Sequence, residues 1–260
     1  MAWKKFPYPD PAFKYTPASL KKSWHRLHIG DAEKFPDDEH IVEAWIAFHG
    51  GEFEQACKLG KKAGLDGYTV ANKACCIYAN YLETAQAKKI EFYEAVSERC
   101  LEQQQKQPKN AAGYYWQAYA LGRYSQEISI VKALAQGVAG KVKHCLDVTL
   151  KLEPKHADAH IAMGLYSAEI IDKVGGLIAG LTYDAKEKDS LANFRQALAL
   201  NPESAIARIE YGNGLVMLNG RAKMKEALAL YKEAAACVPK DATERMDVQL
   251  ALDELDCRVQ

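Results

Sequence analysis

The sequence predicts an all-α protein built from stacked pairs of antiparallel helices. Three observations carry that expectation. From Asp38 onward there are almost no alternating runs of β-branched residues, so the strand period of two is missing. Four prolines, Pro108, Pro154, Pro202 and Pro239, punctuate the chain from there on at intervals of 46, 48 and 37 residues. Small residues keep step with them: Ala111, Ala157, Ala205 and Ala242 lie three residues after the prolines, and Ala118, Gly164 and Gly212 ten residues after the first three. Gln249 breaks the second series. A small side chain at a fixed helical position lets a neighbouring helix approach closely, and its recurrence marks a repeat.

In chain order, residues 1–37 stand apart. Five of the nine prolines (Pro7, Pro9, Pro11, Pro17, Pro36) fall there, beside Trp3, Phe6, Tyr8, Phe13, Tyr15 and Trp24. Prolines this dense forbid a continuous helix, while rings this dense are foreign to a disordered tail. The expectation is an extended arm packing its rings on the body, with a short helix near Ser19–His28. Residues 38–241 form the helical repeat domain of about five helix pairs. Residues 242–260 form a capping helix, Thr243–Leu255, whose Asp247, Asp253, Glu254 and Asp256 suit a solvated end.

The two long proline intervals each hold an insertion between the helices of a pair. SQEISIVKALAQGVAG, residues 125–140, predicts an extra helix. VGGLIAGLTYD, residues 174–184, is apolar and glycine-rich, with Gly176 and Gly180 at small-xxx-small spacing. It reads either as close helix packing or as an apolar plug over a groove.

Lys plus Arg and Asp plus Glu balance at 34 each, which argues against a nucleic-acid binder or a polybasic membrane-surface protein. No stretch approaches the roughly 18 consecutive apolar residues of a membrane span. The start, MAWKKFPYPDPAF, has no apolar run after its lysines and does not read as a secretory signal. The seven cysteines include the adjacent Cys75–Cys76 and no CxxC, so they read as free thiols of a cytoplasmic protein. His25 with His28 and His156 with His160 each offer two imidazoles, half a zinc site. No P-loop, GxGxxG, GxSxG or HExxH occurs. The expectation is a protein without catalytic residues, metal or cofactor.

HIVEAWIAFHGGEFEQA places Ala44, Ala47, Phe48, Gly51, Phe53 and Ala56 at the spacing of a known motif. Ala227, Tyr231, Ala234 and Pro239 close the last repeat likewise, as do Phe194, Ala197 and Pro202 the fourth. In these residues the chain resembles the tetratricopeptide repeat (TPR) family, with His40 at the family's tryptophan position. The insertions, with LGRY at Leu121–Tyr124, are similar to the divergent repeats of regulator of microtubule dynamics proteins and of TRAP-transporter T-components. The resemblance implies a TPR-like α-α superhelix whose first helices line a concave groove.

Projected onto this chain, the family's groove positions give Trp45, Tyr115, Tyr119, Arg123, Ile161, Leu165, Glu169 and Asn213. Arg123 and Glu169 share one motif position in adjacent repeats, either as a polar anchor or as a structural ion pair. So apolar a surface implies a non-catalytic scaffold that binds a protein or peptide segment. The alternative is a carrier that holds a small lipid-like ligand in a cavity of the enlarged repeats. The competing occupant of the groove is the chain's own arm, or a second subunit of a homo-oligomer.

Overall fold

The first helices of four of the helix pairs begin where a polar side chain can satisfy the orphan N–H groups of a first turn. Asp38 accepts from the His40 N–H, Asn110 from Ala112, His156 through Nδ1 from Ala159, and Ser204 from Ala207. The last three caps each stand two residues after a proline. Proline closes the preceding turn and the cap opens the next helix, so the proline register is a register of helix starts.

A computed structural model describes residues 3–259 in backbone and 3–257 in side chain. The arm carries α1 (Pro17–Leu27). The body runs α2 (Glu39–His49), α3 (Phe53–Lys62), α4 (Tyr68–Tyr81), α5 (Gln86–Lys106), α6 (Ala111–Ile128), α7 (Ile130–Ala135) and α8 (Val138–Leu152). It continues α9 (Ala157–Val174), α10 (Gly176–Tyr183), α11 (Glu187–Leu200), α12 (Ala205–Asn219), α13 (Met224–Ala235) and α14 (Ala242–Val259). The pairs are α2/α3, α4/α5, α6/α8, α9/α11 and α12/α13, with α7 and α10 as the two insertions. Among the described residues there is no strand, and no helix is long and apolar enough to cross a membrane.

The chain forms two compact units. The first comprises Met1–His28, Glu33–Pro154 and Lys240–Thr243; the second comprises Ile29–Ala32, Lys155–Pro239 and Glu244–Gln260.

In the first unit the arm lies extended on α2 to α5. Trp3 stacks on Tyr78 with centroids 4.2 Å apart, and the Lys4 N–H donates to the Tyr78 hydroxyl. Phe6 covers Gly51, where a Cβ would stand 2.6 Å from the ring and where φ is +86°. Only glycine accommodates both the ring and that backbone. Phe13, Leu20 and Trp24 carry the contact into the core with Trp45 and Phe48.

In the second unit two buried rings organise the helices. Phe194 of α11 sits where a Cβ on Gly164 of α9 would stand 2.9 Å away and one on Gly214 of α12 2.5 Å away. Tyr231 of α13 lies equally close to Gly212 of α12. The glycines of the sequence register are therefore sockets for the ring on the second helix of each pair.

The insertions share one design. Ser129 (φ 83°, ψ 131°) and Gly175 (φ 79°, ψ 152°) break the chain ahead of α7 and α10. Each stands 21 residues after its proline (129 minus 108, 175 minus 154). Gly137 and Asp184, both left-handed, end the insertions. A Cβ at Gly176 or Gly180 would meet nothing within 4 Å, so their spacing does not serve close helix packing. Ala179 is buried, whereas Leu177, Ile178 and Leu181 face solvent, 78%, 53% and 81% exposed.

Candidate functional site

The first helices of the first three pairs, α2, α4 and α6, bring together a group of rings and cations in the first unit. At its centre is Lys73 of α4, only 9% exposed. Its Nζ lies 5.5 Å from the Trp45 ring centroid, 5.2 Å from Phe48 and 5.9 Å from Trp116. Ring faces attract an ammonium through their quadrupole, by about 2 kcal/mol where water is excluded, but carry no net charge. Trp45 and Phe48 come from α2 and Trp116 from α6, so one cation links three repeats.

From this point α6 presents a continuous strip. Tyr115, Trp116 and Tyr119 are in mutual ring contact, with Tyr115–Trp116 centroids 5.0 Å apart and Trp116–Tyr119 5.3 Å. The Arg123 guanidinium lies 5.4 Å over the Tyr119 ring and donates to Gln126 Oε1 at 3.0 Å. Tyr115, Tyr119 and Arg123 follow one another at i, i+4 and i+8, on a single helical face. Tyr115 is buried; Tyr119 and Arg123 are half-buried.

The other expected groove residues have different surroundings. Trp45, 1% exposed, lies under the arm, 5.5 Å from the Trp24 ring and 4.7 Å from His28. In the second unit Ile161 is a core residue beside Phe194, Ala197 and Ala207, with Leu165 half-buried against the same cluster. Asn213 accepts from the Tyr231 hydroxyl at 2.6 Å and donates to Glu210 Oε2 at 3.3 Å, tying α12 to α13. Glu169 is half-buried on α9, which runs on through Asp172. The neighbouring Lys173 is held above the usual lysine range by its Asp172 hydrogen bond, with a smaller push from Glu169.

The histidines serve the fold. His28 Nε2 is 3.2 Å from His49 Nε2, and His49 Nδ1 is 2.7 Å from Asp241 Oδ2, all three residues being buried. His156 caps α9, and His160 bonds Asn193. Among the described residues no group of three or more His, Cys, Asp or Glu could hold a metal ion.

Lys73 escapes the sequence reading because the proline register begins only at Pro108 and leaves α4 unaligned. The signal that could have found it was charge: Lys73 is the single charged residue in YTVANKACCIYANY.

No family model matches the sequence, and no curated protein does. Among solved structures, the crystal structure of a thermophilic TPR protein from Thermus thermophilus matches with a TM-score of 0.57 and 19% identity. The match covers 82% of this chain and 97% of that one. The chain is thus an all-α helical-repeat protein with a TPR-like fold.

Proposed function

We propose that the first helices of the first unit form a binding groove for a polypeptide segment that mixes apolar and acidic side chains. The protein is then a TPR-type scaffold with no reaction of its own, working among the free thiols of the cytoplasm. The observation that carries this reading is the cation and aromatic strip from Lys73 to Arg123. The half-buried Tyr119, backed by the buried Tyr115, offers flat apolar contact at low conformational cost, and Arg123 offers a planar donor array suited to a carboxylate. Lys73 adds positive potential behind the rings. In the second unit, the half-buried Leu165 and Glu169 are the expected groove residues a partner could reach, because Ile161 and Asn213 are committed to packing. The two enlarged repeats keep the likeness to regulator of microtubule dynamics proteins and T-components within this reading.

The test is selection from a displayed random-peptide library on the purified chain. The expected winners combine acidic and aromatic or aliphatic residues, and bind at least about tenfold more weakly to Arg123→Ala and Lys73→Met. Winners that ignore both substitutions, or an absence of enrichment, would overturn the reading. Native mass spectrometry separates the carrier alternative, which requires an apolar small molecule at one per chain.

A further inference from the structure

We propose that Cys57 and Cys75 form a redox-active dithiol, which a peroxide converts to a disulfide joining α3 to α4. The two sulfur atoms lie 3.1 Å apart between antiparallel helices. A disulfide bond of about 2.05 Å needs only about 1 Å of further approach. The backbone is built for that proximity. Gly60, one turn beyond Cys57, has no room for a Cβ: it would stand 2.7 Å from the Gly67 carbonyl oxygen and 2.9 Å from the Ala71 nitrogen. A third group completes the cluster. Arg99 of α5, anchored by its Nε–H to Asn72 Oδ1 at 2.8 Å, donates through Nη2 to the Cys75 sulfur at 3.4 Å.

The two thiols are unequal. A hydrogen bond from Cys75, helped by the fields of Lys61 and Arg99, lowers Cys57 to about 7 against the effect of its burial. The same hydrogen bond, with burial, raises Cys75. Burial also raises Cys76 and Cys100 and pushes Cys145 up to about 11. Cys57 is therefore the attacking sulfur and Cys75 the resolving one. With Cys57 4% exposed, the fitting oxidant is small, such as hydrogen peroxide.

The Cys57 thiolate displaces hydroxide from the peroxide, giving a sulfenic acid as the O–O bond breaks. The Cys75 sulfur then attacks the Cys57 sulfur. The S–S bond forms, the S–O bond breaks, and the leaving hydroxyl takes the thiol proton away as water. Two thiols are oxidised and one peroxide is reduced. The product pins the second helix of the first pair to the first helix of the next. The inference does not depend on the binding reading.

The experiment treats the folded, full-length chain with equimolar hydrogen peroxide, blocks remaining thiols, and maps the peptides. The expected result is a Cys57–Cys75 linked peptide that dithiothreitol reverses, forming faster as pH rises through about 7. The Cys75→Ala variant should give no linked peptide and leave Cys57 as a dimedone-reactive sulfenic acid, formed more slowly because the hydrogen bond that lowers Cys57 is gone. Oxidation confined to the half-buried Cys237 and the exposed Cys257, with Cys57 and Cys75 still alkylated on unfolding, would overturn the proposal. A Cys237→Ser/Cys257→Ser chain that then resists peroxide altogether would do the same.

Discussion

Asp241 determines what His49 can do. Its carboxylate accepts the Nδ1–H at 2.7 Å, and Nε2 of His49 meets Nε2 of His28 at 3.2 Å. Trp24 stacks on His28 at 3.8 Å and Trp45 on His49 at 5.8 Å, and all three polar residues are buried. A buried hydrogen bond to a charged group contributes about 1.5–3 kcal/mol, and removing the charge forfeits most of it. Asp241→Asn should therefore lower stability by about 2 kcal/mol in urea unfolding followed by tryptophan fluorescence. The sequence hid this cluster for a physical reason. Helical periodicity reports neighbours three or four residues away, whereas His49 and Asp241 stand 192 apart. His28 read as half a metal pair with His25, because spacing along a helix says nothing of what lies across from it.

At the scale of the element, the recurring Gly164 and Gly212 were legible because a socket for a ring must recur wherever the ring does. Gly214 makes the point quantitatively, although it lies outside the register. Alanine there gains about 1 kcal/mol of helix propensity but drives a methyl to 2.5 Å from Phe194, which is fully buried. Overpacking of that kind costs about 1–3 kcal/mol. Gly214→Ala should thus lose about 1 kcal/mol net, read as a lower Tm. The insertions were legible in length, from the proline intervals, but not in placement. An apolar octapeptide has the same composition whether it is buried or, like most of α10, faces water. Their entry angle shows in Ser129, whose φ of 83° is glycine territory. Strain there is about 1–3 kcal/mol, while serine-to-glycine at a helix cap costs a few tenths. Ser129→Gly should raise the Tm, with the far-ultraviolet circular dichroism unchanged.

As a whole molecule, the protein departs from the one-dimensional logic of its repeats. Solenoid units normally touch only their sequence neighbours. Here the first unit contains Lys240–Thr243, and the second contains Ile29–Ala32, each drawn from within the other's stretch of sequence. The Tyr15 hydroxyl donates to the Lys240 carbonyl at 2.8 Å, and the Asp158 N–H to the Gly30 carbonyl at 3.0 Å. The repeat architecture could be read from local motifs; this exchange could not, since nothing in a short stretch reports it. A chain ended at Pro239 should accordingly lose stability in the first unit, seen as faster amide exchange in α1 and α2 than in the full chain. The exchange also sets a timetable. Asp241 is made 87 residues after Pro154, where the body of the first unit ends. At about 5–20 residues per second, the ribosome needs about 4–17 s to cover that distance. For those seconds a nascent first unit holds His49 without its acid.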